Sequence, residues 1–510
     1  MRTIKQSIRV RIARLLLFST GIAAFLSGSL VVPVYSAETP PQMSPQAKPV
    51  PHDSKVFGSD PTYQDKKYDP KAQIRIYGGK SRMEEVRPAL ELGRPIYLEG
   101  PFNKGLNYLG RKNPMFPGFA AYGDWRTAIG YNDNGAIENG LLATRFNLDL
   151  DLKLTSTERI HAFLRPLDRG GNFTKYEFFG DDRDQGDLQT DLNIETLFFE
   201  GDIGAIAAGI SDQYNSLDLP FSLGLAPLLF QNGVWLEDAF IGGAFSIPSL
   251  NSPQLNITNM DFTFFGGFDK VTTPAIQDDV GDLADHNLRL YGATTFIEAN
   301  EGYWEAGLGR VDGEGGLDEF SYNSATLAFT KRYGRRLSNS LRAMYTFGQD
   351  RVNNIQQTAD GWIFLFENSL ITSKPSTFVP YGNFWVGFDR PQPLADDTGI
   401  LKNTGINFET NGLTGFPKLD DTGHDTWGGA IGLEYLFALD QQLVMEFASA
   451  QILGDKNEPG RAANDDQYGL GLRYQLPLTK SWILRTDAMY GFRRNDDDIA
   501  GFSLEMRYKF

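Results

Sequence analysis

The stretch Gly501-Phe502-Ser503-Leu504-Glu505-Met506-Arg507-Tyr508-Lys509-Phe510 decides how the rest of the chain is read. Phe502, Leu504, Met506, Tyr508 and Phe510 alternate with Ser503, Glu505, Arg507 and Lys509, so an extended chain carries one apolar face and one charged face. In a soluble sheet the apolar face would cover a protein core. In a barrel that spans a bilayer, the same face would meet lipid.

Working outward from that end, the same two-residue period runs back to about residue 120. Phe146, Leu148, Leu150, Leu152 and Leu154 alternate with Arg145, Asn147, Asp149, Asp151 and Lys153, over the roughly ten residues that a tilted strand needs to cross a bilayer. Residues 288–296, 341–347, 427–437, 468–476 and 482–492 repeat the pattern, and Gly429, Gly469 and Gly471 mark crowded positions in a curved sheet. With residue 510 set on the periplasmic side, short connections at 477–480, 438–440, 298–302, 200–203 and 155–158 fall on that side. Longer ones at 452–465, 389–424, 269–286, 212–234 and 167–190 fall outside, the loop asymmetry of outer-membrane barrels. The expected fold is all-β: a closed antiparallel transmembrane β-barrel over residues 119–510, of about 18 strands. Sixteen is the alternative, because 360–371 and 376–389 alternate least clearly.

Residues 501–510 resemble the C-terminal signature of Gram-negative outer-membrane β-barrel proteins, in which a terminal Phe follows alternating apolar residues. The resemblance implies that Phe502, Leu504, Met506, Tyr508 and Phe510 form a membrane-insertion signal read by the barrel insertion machinery, and that the chain resides in the bacterial outer membrane.

Composition fits this reading. The mean hydropathy of −0.32 looks soluble, as it does for membrane barrels, where only every second strand residue is apolar. The 54 glycines and 13% aromatic residues suit tight turns and interfacial girdles. There is no cysteine, which excludes disulfides, thiolate metal sites and a Cys nucleophile. Residues 1–37 read as a cleaved signal peptide, in which Arg2, Lys5, Arg9, Arg11 and Arg14 precede an apolar run and a Val34-Tyr35-Ser36-Ala37 junction. An uncleaved anchor is the alternative. That segment carries five of the 48 basic residues, leaving 43 against 64 acidic ones and a net charge near −21, which speaks against nucleic acid as a partner.

Residues 38–118 read as a periplasmic segment. It starts as a Pro-rich linker to about 71, continues through a capping box at Ser81 and Glu84 that opens a helix toward Gly93, and ends in a Pro- and Gly-rich stretch, 94–118. That last stretch covers the periplasmic mouth, enters the lumen as a partial plug, or extends freely.

A barrel of this strand number is too wide for its own side chains to fill. Passive diffusion of small hydrophilic solutes is therefore the expected function, with no cofactor and no metal. Under the alternation, Arg145, Asp149, Asp151, Lys153, Arg159, Arg165, Arg289, Arg342, Arg473, Arg485 and Arg507 face the lumen, where a ring of one sign would set ion preference. The outer connection 213–233 is oddly apolar, with Leu217, Asp218, Pro220, Phe221, Leu225, Leu229 and Phe230. Folded inward it would narrow the pore and resemble the constriction loop of general porins; an extracellular cap or a subunit contact would bury it equally.

Two other functions are open. An arginine-rich lumen at this strand number resembles the alginate-export family in layout, which implies export of an anionic polysaccharide. His286 beside Asp285 and His424 beside Asp425 at the outer rim resemble the placement of Asp and His in omptin proteases, which makes a rim protease the enzymatic alternative. The expected partners are outer-membrane lipid and lipopolysaccharide, the insertion machinery and small solutes; the solute, the ion preference and the oligomeric state stay open.

Overall fold

The computed structural model describes residues 86–93, 105–277, 283, 285–350, 357–409, 412–437 and 440–510. The expected signal peptide, the linker and the capping box lie outside these residues. The helix expected to run to Gly93 is not formed where it can be seen: Leu90–Gly93 is a short strand paired with Gly118–Ala121.

Eighteen antiparallel strands close into one barrel. The first five are β1 (Gly118–Asp133), β2 (Glu138–Lys153), β3 (Arg159–Leu164, continued by Asn172–Phe179), β4 (Ile194–Asp202) and β5 (Pro220–Phe230). There follow β6 (Leu236–Ser252), β7 (Ile257–Asp269), β8 (Leu288–Ala299), β9 (Gly302–Gly313), β10 (Tyr322–Tyr333), β11 (Leu337–Phe347) and β12 (Asp360–Leu370). The last six are β13 (Phe378–Arg390), β14 (Thr426–Phe437), β15 (Gln441–Ile452), β16 (Gln467–Pro477), β17 (Trp482–Arg493) and β18 (Ile499–Lys509). Each strand pairs with its sequence neighbour. β18 then returns to β1, from Asp124 opposite Lys509 to Asp133 opposite Ala500. At the seam Gly123 and Phe510 exchange two backbone hydrogen bonds of 3.0 and 3.1 Å. Closure leaves no free edge at the seam between the first and last strands, which a bilayer would not tolerate.

The outward rows are apolar. Leu308, Leu327, Leu341, Ile431, Phe447, Leu470, Phe502 and Leu504 are all exposed, far more than a soluble surface carries. Aromatic rings gather at both ends of this belt. Trp482, Tyr508, Phe510, Phe146 and Trp125 form a chain of ring contacts at the periplasmic end. Phe347, Tyr345 and Trp362 stack toward the outer end, with centroids 4.7 and 3.9 Å apart.

One region departs from the expected topology. The expected strand at 203–212 is a helix, α1 (Ile203–Ser211). Asp202 caps it by accepting from the Ala205 N–H (2.6 Å), and Asp212 ends it with φ 52°. Its Gly and Ala content lets it lie close to neighbouring backbone, at Leu217 beside Gly204 and at Leu109 beside Gly209. The connection after β4 is therefore a long periplasmic one, 203–219, and the next outer connection is short, 231–235.

Candidate functional site in the barrel lumen

The connection from β13 to β14, residues 391–425, folds into the barrel over its described residues 391–409 and 412–425. At one wall, the Leu394 N–H donates to the Trp235 carbonyl (2.7 Å) and the Asp396 N–H to the Thr272 carbonyl (3.0 Å). The Tyr322 hydroxyl lies 3.1 Å from the carbonyl oxygens of both Pro393 and Leu394. At the facing wall, Glu446 on β15 accepts from the backbone N–H of Ile406 and of Asn407 (3.0 Å each), from Asn407 Nδ2 (2.8 Å) and from the Tyr381 hydroxyl (2.5 Å). A buried carboxylate without a cation needs such a set of donors. Further along, Asn132 Nδ2 on β1 donates to the Thr414 carbonyl of the connection (2.6 Å).

Apolar packing and glycine seats complete the docking. Leu394, Leu401, Phe408 and Leu419 of the connection are fully buried with Trp235, Ile276 and the inward residues Leu288, Leu290, Val311, Met344 and Ile363. Opposite, Gly469 and Gly471 make room for Asn407, and Gly501 for Phe416 and Pro417. Any side chain at these inward positions would occupy the loop's place. A cavity of 520 Å³ remains between this connection and the neighbouring outer connections, lined by Pro274, Gln392, Lys418, His424 and Arg461.

Charged side chains line a second part of the wall, on β1 to β4 and the periplasmic halves of β16 to β18. Asp124 takes Arg126 (2.9 Å) and Arg507. Arg159 bridges Asp151 (3.0 Å) and Glu200, and Arg165 bridges Glu195 (3.1 Å) and Asp168 (3.6 Å). Arg473 and Arg485 share Asp487 at 2.7 Å each, and both approach Glu409 of the inserted connection. His161 lies 3.4 Å from Asp149. Arg145 differs: it forms no salt bridge among the described residues, and its guanidinium stands 5.4 Å from the Phe173 ring centroid. Phe173 belongs to the continuation of β3, which leaves the wall after Leu164 and returns at Asn172, and it packs beside Leu413 of the inserted connection.

Most expected lumen residues thus share the lumen: Arg145, Asp149, Asp151, Arg159, Arg165, Arg342, Arg473, Arg485 and Arg507, with exposed Lys153 at the periplasmic end of the same row. Arg342 is buried and paired with Glu367 at 3.1 Å. Arg289 is a correction. Leu288 and Leu290 are buried inward, so Arg289 shares the outward row with exposed Tyr291 and pairs with Glu314 near the rim. Alternation defines two faces but not which one is inside, and here the inner face is apolar because a packed loop covers it.

The expected constriction segment is the second correction. Leu217 and Asp218 lie in the periplasmic connection, and Pro220, Phe221, Leu225, Leu229 and Phe230 belong to wall strand β5. Phe221, Leu223, Leu225 and Leu229 point outward, while Leu228 and Phe230 pack on the interior cluster. A strand apolar on both faces has no alternation to betray it. Narrowing the lumen falls instead to 391–425, whose polar composition hid it; the signal was the row of inward glycines facing it. The rim histidines diverge too. His424 is buried against Gln392 (3.2 Å) while its neighbour Asp425 pairs with Arg390 (2.5 Å); burial, then Arg390, pushes the His424 imidazole down to about 4. His286 stands exposed at the rim, 3.0 Å from Asp269 and 3.6 Å from Asp285.

A closed 18-strand antiparallel barrel with an apolar outer belt, a charged lumen and a connection inserted across it defines the class by its fold: a transmembrane β-barrel. Solved structures carry the likeness further. Acinetobacter baumannii OccAB4 has a TM-score of 0.50 at 12% identity, over 76% of this chain and 97% of that one. Pseudomonas aeruginosa OccK2 (OpdF) gives 0.49 at 11%, over 77% and 97%. Pseudomonas aeruginosa OpdK, solved with vanillate, gives 0.49 at 12%, over 76% and 98%. At these identities the likeness is one of fold. No protein-family model matches the chain, and no curated protein matches it by sequence.

Proposed function

We propose that the protein is an outer-membrane channel through which small hydrophilic solutes diffuse, narrowed by residues 391–425 and lined along β1 to β4 by ion-paired charges. The observation that carries this is the eccentric lumen: one part is packed with apolar side chains and the other retains charged ones, which hold water. Carboxylates nearly balance the arginines, so the field across the passage favours small polar and zwitterionic solutes, with unpaired Arg145 adding a bias toward anions. An inserted connection removes the wide bore that a polysaccharide chain would need, so polymer export is not favoured. In the same reading, residues 1–37 direct export and are cleaved, and the outward row of Phe502, Leu504, Met506, Tyr508 and Phe510 is the insertion signal.

Purified full-length protein in a planar bilayer tests the proposal. Discrete conductance steps, together with permeation of small sugars or amino acids into protein-loaded vesicles, are the expected result. Absence of both steps and permeation in correctly inserted protein would overturn it.

A further inference from the structure

Helix α1 and residues 105–117, which pack on it, form an apolar ridge on the outside of the periplasmic rim. The outside position follows from register. Arg159 turns into the lumen to meet Asp151 and Glu200, so its neighbour Glu158 turns outward. Glu158 lies against Gly201, where a Cβ would sit 3.2 Å from Glu158 Cγ, and it accepts from Asn113 Nδ2 at 2.8 Å. Asn113 in turn packs on the helix, where a Cβ on Gly209 would stand 2.9 Å from the Asn113 Cβ. Burial pushes the Glu158 carboxyl up, but hydrogen bonds from Thr155, Asn113, Thr157 and the Asp202 N–H outweigh it and hold the carboxyl below its usual range. The carboxylate is thereby held ionised by these donors, and it ties Asn113 and the helix cap Asp202 to the turn before β3.

The ridge itself carries no such satisfaction. α1 has no charged residue; its buried side is Gly204, Ala208 and Gly209, and Ile203, Ile206 and Ile210 recur on the other side at helical spacing. Ile210 is 81% exposed, Tyr108 83% and Tyr214 84%. Arg111 and Lys112 are exposed at its edge. In water such a stripe is unfavourable by about 25 cal/mol for each Å² of apolar surface left uncovered. The apolar belt starts beside it, with Ile160, Leu197, Phe199, Phe221 and Leu223 on the outward rows of β3, β4 and β5.

We propose that this ridge is a membrane-interface anchor, in which the isoleucines enter the periplasmic phospholipid leaflet, Tyr108 and Tyr214 sit at headgroup level, and Arg111 and Lys112 meet lipid phosphates. Continuity with the lipid-facing belt selects lipid over a protein partner, and an uncharged stripe with aromatic and basic residues beside it, the C-cap Asp212 being engaged by the Arg111 N–H (3.1 Å), is the pattern of a helix lying in a bilayer surface. The inference rests on the membrane-barrel reading of the wall.

The chain has no cysteine, so single-cysteine variants of the full-length protein can each carry one nitroxide label. Ile210→Cys and Tyr214→Cys report the ridge, Leu308→Cys the belt, and Arg183→Cys the aqueous outer loops. In vesicles of phosphatidylethanolamine and phosphatidylglycerol, the ratio of oxygen to nickel-chelate accessibility at Ile210 should match that at Leu308 and exceed that at Arg183 several-fold; Tyr214 should fall between. A ratio at Ile210 equal to that at Arg183, with Leu308 still lipid-like, overturns the anchor and leaves the barrel intact. A water-like Leu308 would overturn the barrel reading itself. Dipolar broadening at Ile210 that disappears on dilution with unlabelled protein would assign the ridge to a second copy and overturn the lipid occupant.

Discussion

Two parts of the lumen wall share one strand geometry and end with opposite roles. From β8 to β15 the inward rows carry Leu288, Leu290, Val311, Tyr322, Met344, Ile363, Trp385, Ala430 and Ala448, and the connection 391–425 is packed against them. From β1 to β4 the inward rows carry Asp124, Arg145, Asp149, Asp151, Arg159 and Glu200, and apart from Arg145 these charges lie within reach of an opposite partner. Apolar and glycine rows gain by shedding water and so become a seat for inserted chain. Charged rows lose by shedding it and so pair among themselves instead of seating inserted chain. Row chemistry, rather than strand number, decides which part of such a wall takes up the connection.

The largest expected effect comes from erasing the seat's occupant. Replacing residues 394–420 with a short Gly-Ser linker should raise single-channel conductance several-fold; an unchanged conductance would show that the connection does not narrow the passage. A smaller effect should follow from Glu446→Ala, which strands the donors of Ile406, Asn407 and Tyr381. Each buried donor left unpaired costs about 1–3 kcal/mol, so the loop should detach intermittently, seen as added open-channel noise and a lower thermal midpoint. Glu446→Gln should restore part of the quiet state.

Charge substitutions sharpen the other part. Arg145→Glu should move the zero-current potential under a KCl gradient toward cation preference, because no salt bridge compensates Arg145 among the described residues. Arg342→Ala, which removes a buried partner of Glu367, should lower thermal stability while leaving that potential nearly in place. Equal shifts from both would erase the distinction between the β1 to β4 wall and the seat.

The smallest effect concerns pH. Burial pushes the Asp420 carboxyl up to about 6 from 3.8, so its contribution to loop docking is complete below pH 3.8 and is lost as pH rises through about 6. His424, pushed down to about 4 from 6.5, contributes above pH 6.5 and loses that contribution as pH falls through about 4. These two slopes oppose one another between pH 4 and 6, while Asp396 of the same connection, also pushed up by burial to about 6, adds to the Asp420 slope, so docking in the native channel should weaken only gently as pH rises through 6. His424→Gln removes one slope, so the variant's loop should dock more tightly at pH 5 than at pH 7, read as a lower conductance at the more acidic pH.

Much of the wall was legible in the sequence. The alternation at 146–154 and 502–510 stands where the period placed it, the long connection expected at 452–465 is found within a residue of those bounds, and the two faintest strands, β12 and β13, are real. What escaped was any strand or loop whose partner lies inside the barrel. β5 lost its alternation because Leu228 and Phe230 meet the interior cluster, and Arg289 was assigned to the wrong face because Leu288 and Leu290 do so too. α1 was missed because Gly and Ala carry little periodic signal, and its decisive residue is the cap at Asp202.

The sequence by itself determined most of the strands, the closure at Phe510 and which residues share a face of each strand, since a period of two follows from backbone geometry alone. Tertiary structure decided which connection enters the lumen, that Arg145 stands without a salt bridge among the described residues, and which strand face is inside. Those outcomes depend on residues distant in the chain, such as Asn407 meeting Gly469 and Gly471 or Asp124 meeting Arg507, and no local pattern records them.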